Sequence, residues 1–166
     1  MAVTSDIVRT WVRPRAVMRN LLVMGPREDR ALIFLMVSCM LIFVAQWPRL
    51  SREAFYNPEI PLQALLGATL LAWVFMAPIL LYGVGALSHI VARIFGGKGS
   101  WFSARLALFW TLLSVSPAFL FYGMIAGFIG PGPAQTYVGA GLVLAFVVIW
   151  GMTLFEAEQS PEGSEI

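Results

Sequence analysis

The clearest indication of the fold is the stretch IPLQALLGATLLAWVFMAPILLYGVGALSHIVA, residues 60–92. None of its side chains carries a formal charge. A straight α-helix of about 30 residues would be roughly 45 Å long, whereas the hydrocarbon core of a bilayer is about 30 Å thick. A span of this length has to tilt, kink or extend beyond the core. Pro78 predicts a kink, since proline lacks an N–H donor and its ring clashes with the preceding turn.

The composition of the whole chain also indicates a membrane protein. Of its 166 residues, 59% are hydrophobic and 12% are charged, whereas soluble domains contain about 25% charged residues. A soluble fold of this size could not bury so much apolar surface. The net charge is only +2, and the basic residues are concentrated before residue 31. This distribution favours a membrane-orientation signal, and we expect no nucleic-acid partner.

Three further apolar runs are predicted to cross the membrane. They are residues 31–47, 106–129 and 137–155. A polar loop is predicted over residues 49–61. Pro117 interrupts the third run, which is therefore either one kinked helix or two short halves. The predicted fold is an all-α polytopic transmembrane bundle with four spans, or five if the Pro117 run crosses twice.

Residues 1–30 are predicted to form a cytoplasmic basic leader with an interfacial amphipathic helix. Four of its apolar side chains recur at a spacing that places them on one helical face. They are Ile7, Trp11, Met18 and Leu22. The helix would begin near Pro14 and end at Met24, with its apolar face in the acyl boundary and its arginines toward anionic head groups. A flexible basic leader is the alternative.

The distribution of basic residues predicts the orientation. The leader carries six arginines and the connection after the second span carries three cations, whereas the other two connections carry two and none. Cytoplasmic loops are enriched in Lys and Arg, so both basic segments are expected in the cytoplasm of a bacterial inner membrane. Residues 31–155 would form the transmembrane domain. An acidic, disordered tail, residues 156–166, would be cytoplasmic with four spans and external with five.

Seven cations are predicted to face lipid phosphates and to fix this orientation. They are Arg9, Arg13, Arg15, Arg19, Arg93, Lys98 and Arg105. Membrane lipids are therefore expected partners.

The stretch HIVARIFGGKGSWFSARL, residues 89–106, contains the only histidine and the only lysine of the chain. It is not a phosphate-binding P-loop, because Gly97-Lys98 is followed by Gly99 rather than Ser or Thr, and an apolar helix precedes it. The glycines predict a turn between two helices. Ser100 is the expected N-cap of the next helix, and Ser103 is the other candidate.

Ser88 and His89 form the one possible polar site that the sequence suggests. A buried intramembrane histidine is a candidate for proton relay, but the apolar spans contain no carboxylate partner for it. Hydrogen bonding to a carbonyl or a hydroxyl is the simpler interpretation. No second histidine is available for a metal or haem, and the lone Cys39 lies in an apolar run. We expect no catalytic residues, no metal and no cofactor.

Six glycines in the spans predict close helix packing, either within the chain or against another membrane protein. They are Gly83, Gly85, Gly123, Gly127, Gly139 and Gly141. Pro78 and Pro117 are the predicted kinks. Ser114 and Ser116, beside Pro117, are expected to satisfy backbone groups that the proline frees.

Two regions resemble the bacterial branch of the Ypt-interacting-protein (Yip) family of integral membrane proteins. The first is RPRAVMRNLLVMGPREDRALIFLM, residues 13–36, a basic leader that ends in a first span. The second is GALSHIVARIFGGKGSWFSARLALFWTLLSVSPAFL, residues 85–120. In that family a long helix ends in a His, a glycine-rich turn follows, and Ser and aromatic residues open a proline-interrupted helix. The resemblance covers about residues 11–155.

The resemblance implies an α-helical membrane domain, commonly with five spans, and no known catalytic activity. Eukaryotic members are linked to Rab GTPases and carry a Tyr-Gly-Pro-type motif in a cytosolic N-terminal region. Only Gly25-Pro26 occurs in this short leader, so a Rab-type GTPase is not an expected partner.

The expected function is that of a non-enzymatic membrane protein that acts through protein–protein or protein–lipid contacts. It would be an accessory, assembly or scaffold factor of a larger membrane complex, with another integral membrane protein as its partner. A small transporter or channel subunit is the alternative, because helices broken by proline can surround a path through the membrane.

Overall fold

The computed structural model describes residues 3–159, which form helices joined by short connections without any strand in that range. The helices are α1 (Val3–Val12), α2 (Pro14–Val23), α3 (Glu28–Tyr56), α4 (Leu62–Leu70), α5 (Ala77–Ile94), α6 (Trp101–Phe128) and α7 (Pro133–Gln159), and a π-helical segment (Leu71–Met76) joins α4 to α5.

Four helices in the described part of the chain are long and apolar enough to cross a membrane. They are Glu28–Tyr56, Leu62–Ile94, Trp101–Phe128 and Pro133–Gln159. The prediction of an all-α bundle with four candidate spans is therefore confirmed.

The first span is longer than the sequence suggested. α3 continues through Pro48 to Tyr56, so the prediction of a loop over residues 49–61 was wrong for its first half. A proline inside a helix removes one hydrogen bond, but the turns beyond it pack on α6. Leu50 is buried, and Arg52 Nη1 donates to the carbonyl of Gly127 at 3.2 Å. These contacts favour continuation of the helix.

The second span, Leu62–Ile94, is a 33-residue rod with a π-helical segment in its middle. This segment ends at Met76, two residues before Pro78. A proline cannot donate to the carbonyl four residues earlier, and helices commonly absorb such a defect as a π-bulge. The irregularity predicted at Pro78 therefore occurs in the turns that precede it.

The third span is one helix. α6 runs through Pro117 without a break and has 28 residues, so this run does not divide into two crossings. Pro117 cannot donate to the carbonyl of Leu113, and Ser116 Oγ donates to that carbonyl instead, at 2.7 Å. The prediction that a serine hydroxyl compensates the proline is confirmed for Ser116.

The core of the bundle is centred on α6, which packs on α3, α5 and α7. Phe109 and Trp110 in α6 are almost completely buried. The ring of Phe34 in α3 meets Trp110 edge-on with 5.0 Å between centroids, and Tyr82 in α5 meets Phe109 in the same way at 5.0 Å. Edge-to-face aromatic pairs of this kind add to the free energy of burial.

The amphipathic leader consists of two short helices, and α2 begins at Pro14 as predicted. Its apolar face lies against the bundle, where Met18 is fully buried, so the prediction that this face enters the acyl boundary was wrong. Two indole groups tie α1 to α6. Trp110 Nε1 donates to Thr10 Oγ1, and Trp11 Nε1 donates to the carbonyl of Ser114, both at 3.0 Å. Arginines of the leader occupy the exposed side.

The six candidate packing glycines divide into two groups. A Cβ atom on Gly123 or Gly127 would overlap the backbone of Ala45 or Pro48 in α3. Gly85 lies against Arg105, and Gly139 lies against the ring of Tyr122. These four allow close approach within the chain. Gly83 and Gly141 have no atom of another element within 4 Å of their Cβ positions.

We expect the substitution Gly123→Ala to lower the free energy of unfolding by about 1–3 kcal/mol, the usual cost of overpacking. Gly83→Ala is the matched control, because its new methyl group meets open space and alanine favours a helix by about 1 kcal/mol over glycine. Thermal unfolding of the detergent-solubilised protein measures both. Equal midpoints for the two variants would contradict the close α3–α6 contact.

Candidate functional site at the α5–α6 elbow

The elbow, residues 95–100, reverses the chain between α5 and α6. Gly96 has a φ of +87°, a conformation that glycine adopts without steric cost. Its N–H donates to the carbonyl of Arg93 at 3.0 Å, and the N–H of Gly97 donates to the carbonyl of Ala92 at 2.9 Å. This is a Schellman motif, which satisfies the last carbonyl groups of α5.

The other end of the elbow is a reciprocal cap. The N–H of Ser103 donates to Ser100 Oγ at 3.1 Å, and the N–H of Ser100 donates to Ser103 Oγ at 2.9 Å. Both serines named from the sequence therefore cap α6, with Ser100 as the N-cap. The two helix ends hold the elbow in one conformation and leave its remaining N–H groups available for other contacts.

His89 has a carboxylate partner, contrary to the sequence prediction. Its side chain is buried, and its Nδ1 lies 2.8 Å from Glu158 Oε1. The prediction failed because Glu158 was assigned to a disordered tail beginning at residue 156. α7 instead continues to Gln159, and Glu156, Ala157 and Glu158 are buried. Residues 160–166 of the predicted tail lie outside the described residues.

Glu158 also binds the backbone of the elbow. Its Oε2 accepts a hydrogen bond from the N–H of Gly99 at 3.2 Å, and its carbonyl accepts one from the N–H of Lys98 at 2.8 Å. A Cβ atom on Gly99 would lie 2.5 Å from the carbonyl oxygen of Ala157, so glycine is required for this approach. We call the set His89, Lys98, Gly99 and Glu158 the elbow contact.

The elbow contact is sheltered by an aromatic ring and has few free polar groups. The ring of Trp101 lies 4.7 Å from that of His89, centroid to centroid. Ser88 Oγ, on the preceding residue, donates to the carbonyl of Gly85 at 2.8 Å. Among residues 3–159, no group of three or more His, Cys, Asp and Glu side chains is placed to hold a metal ion. The geometry is that of a buried, hydrogen-bonded His–Glu pair.

Two ion pairs join helices near the elbow. Arg19 in α2 binds Glu156 in α7 through Nη2 at 2.8 Å. Arg105 in α6 binds Glu28 at the start of α3, and its guanidinium lies over the ring of Tyr82. Both arginines thus bind carboxylates that lie within reach after folding, and the prediction that they also face lipid phosphates stays a prediction.

The other five predicted lipid-facing cations are exposed. They are Arg9, Arg13, Arg15, Arg93 and Lys98. Arg15 packs its guanidinium 4.9 Å from the ring centroid of Phe155 in α7. Their exposure leaves them free to meet lipid phosphates, and that contact stays a prediction.

A groove of about 940 Å³ lies between α5 and α7 and reaches the elbow. Most of its wall is apolar, and Lys98, Glu158 and Gln159 stand at its elbow end. Its apolar lining includes Val84, Leu87, Val91, Phe95, Trp150, Leu154 and Phe155. This groove could not be predicted from the sequence, because its walls depend on the register of α7 against α5.

The fold and site define a protein that is all-helical over its described residues, with four candidate membrane spans and an elbow held by a buried glutamate. The sequence matches no protein-family model, no curated protein and no solved structure. The resemblance to the Yip family therefore rests on the quoted residues and stays a prediction.

We expect Glu158→Ala to lower the free energy of unfolding by about 3 kcal/mol, since it leaves the buried His89 and the N–H of Gly99 without their acceptor. Glu59→Ala is the matched control, because Glu59 is exposed in the connection between α3 and α4. Thermal unfolding in detergent reports both. A shift of the same size in the control would show that loss of any carboxylate destabilises the protein by this amount, and it would contradict a specific role for Glu158.

A double-mutant cycle tests whether the pair itself stabilises the protein. We expect His89→Ala and Glu158→Ala together to cost less than the sum of the single costs, by about 1 kcal/mol or more. Strict additivity would contradict the direct contact between the two side chains.

Proposed function

We propose that the chain is a non-enzymatic membrane protein that acts through contact with another integral membrane protein, as an accessory, assembly or scaffold factor of a larger complex. The observation that supports this proposal is the exposure of the second span. In the most apolar stretch of Leu62–Ile94, 0% of the residues are buried within the chain, compared with 44% and 56% in the first and third spans.

One face of the second span is suited to receive another helix. Leu71, Phe75, Ile79 and Gly83 follow one another at intervals of four residues, and all are exposed. We call this set the second-span face. Lipid tails are as apolar as leucine, so exposure alone does not drive association, whereas a small residue lets a second backbone come close. Gly83 provides that space beside three large side chains.

The backbone of the same face is irregular. The π-helical segment Leu71–Met76 includes Leu71 and Phe75, and π-bulges occur frequently at functional sites. A π-bulge interrupts the regular row of backbone hydrogen bonds, and protein contacts tolerate such interruptions better than lipid does. Coverage by a partner helix therefore suits this segment.

The alternative function, a transporter or channel subunit, has less support. Two of the polar residues that would line a path through the membrane are engaged in other contacts. Ser88 and Ser116 donate their hydroxyl groups to carbonyls of their own helices. A second groove, of about 280 Å³, is lined by apolar residues, among them Ile42, Trp73 and Leu81. A contact role agrees better with this apolar lining.

We further propose that the protein resides in the inner membrane of a bacterium, with the leader, the elbow and the end of α7 in the cytoplasm. The contacts between Arg19 and Glu156 and between Lys98 and Glu158 bring these three segments to one side of the bundle. Exposed arginines and Lys98 are concentrated on that side, and the positive-inside rule makes it cytoplasmic.

Purification from native membranes in a mild detergent tests the contact role. We expect an integral membrane protein to co-purify in stoichiometric amount, and Gly83→Leu to reduce its recovery several-fold by filling the space on the second-span face. Gly141→Leu is the matched control, because Gly141 is also open but lies on α7. A clean monomer or homo-oligomer, or equal recovery with both variants, would contradict the proposal.

A reporter fused after Ile166 tests the orientation. We expect a fluorescent protein at this position to be active and alkaline phosphatase to be inactive, as for a cytoplasmic end. An active phosphatase would place the end of α7 in the periplasm and overturn the proposed orientation.

A further inference from the structure

We propose that the groove between α5 and α7 binds one anionic phospholipid, with its acyl chains along the apolar walls and its phosphate beside Lys98. This inference goes beyond a contact role with a partner protein, because it concerns a lipid and a different part of the second span. The second-span face ends at Gly83, whereas the groove begins at Val84 and extends to the elbow.

The walls of the groove suit acyl chains. Both walls belong to candidate membrane spans, and Leu87, Val91 and Phe155 at the groove are about half exposed or more. Exposed side chains of a membrane span would face the bilayer, so the groove would open to lipid. Its volume of about 940 Å³ lies at the upper end of the range for small-molecule sites, roughly 300–1,000 Å³. A long apolar ligand therefore fits better than a small polar one.

The elbow end of the groove suits an anionic head group. Lys98 lines it and is exposed, and Arg15 lies over the ring of Phe155, another wall residue. Basic pockets between transmembrane helices bind the head groups of anionic lipids. The combination of apolar walls and a cationic end has the charge distribution of one anionic phospholipid.

Glu158 also lines this end, and its charge opposes an anion. Its two carboxylate oxygens are already engaged, Oε1 with His89 and Oε2 with the N–H of Gly99. The Lys98 side chain, in contrast, has no ion-pair partner among the described residues. The cation is available to a ligand, while the carboxylate is held by the protein.

The shape of the groove can be changed without touching the core. Gly151 lines it, and no atom lies within 4 Å of where its Cβ would be. Leucine at this position would project into open space and favour the helix. Gly141, one of the glycines of α7 outside the groove, is equally open. Comparison of Gly151→Leu with Gly141→Leu therefore distinguishes the effect of a smaller groove from the effect of a new leucine on α7.

The test is native mass spectrometry of the full chain in detergent, titrated with phosphatidylglycerol or with phosphatidylcholine of the same acyl composition. We expect one phosphatidylglycerol to be retained per chain in preference to phosphatidylcholine. Gly151→Leu should abolish this retention, and Gly141→Leu should leave it unchanged. Equal retention of the two lipids, or full retention by Gly151→Leu, would overturn the proposal.

A charge substitution tests the head-group end. We expect Lys98→Gln to weaken phosphatidylglycerol binding about fivefold, the contribution of one cation at a membrane surface. Arg27→Gln is the matched control, because Arg27 is exposed before α3 and does not line the groove. Equal losses in the two variants would show a general surface charge effect and contradict a site at Lys98.

A photo-crosslinking residue in place of Phe155, on the α7 wall of the groove and away from the second-span face, identifies the occupant in native membranes. A mass increase equal to a phospholipid supports the proposal. An adduct with another protein, or with a second copy of this chain, would overturn it.

Discussion

The arrangement of the elbow depends on the burial of one carboxylate. A carboxylate in an apolar bundle is costly to bury, and it persists only where hydrogen bonds surround it. Glu158 meets this condition through His89 and the N–H of Gly99. Because its own carbonyl also accepts from Lys98, the end of α7 is held against the elbow. The groove between α5 and α7 exists as a consequence of this attachment.

The prolines show how the chain preserves its helices in an apolar environment. Each proline removes one donor, and backbone groups within a bilayer cannot turn to water. The two prolines that were predicted to kink their helices are accommodated differently: Ser116 donates to the carbonyl that Pro117 leaves free, while a π-helical segment precedes Pro78. The first solution keeps α6 regular in the core. The second leaves an irregular backbone on the span that is least covered by the chain itself.

The sequence predicted the spans better than their ends. Long apolar runs and their hydropathy are sufficient to identify four spans, and the glycines and Ser100 predicted the elbow because helix caps are local. The extension of α3 beyond Pro48 was missed, since it depends on contacts with α6 that are distant in sequence. The four-span topology did contain a signal for Glu158, because it places the end of α7 on the same side as His89.

The prediction from composition was least accurate for the acidic end of α7, which was assigned to a disordered tail. Glu156 and Glu158 stand at the start of a polar C-terminal segment, and such segments are commonly disordered. In a chain with few charged residues, however, an acidic residue next to a span indicates a contact with another helix more strongly than the polar residues around it indicate disorder. Here both carboxylates bind side chains of other helices, Arg19 and His89. These contacts attach the end of the last span to the leader and to the elbow, and the second span stays comparatively free for contacts outside the chain.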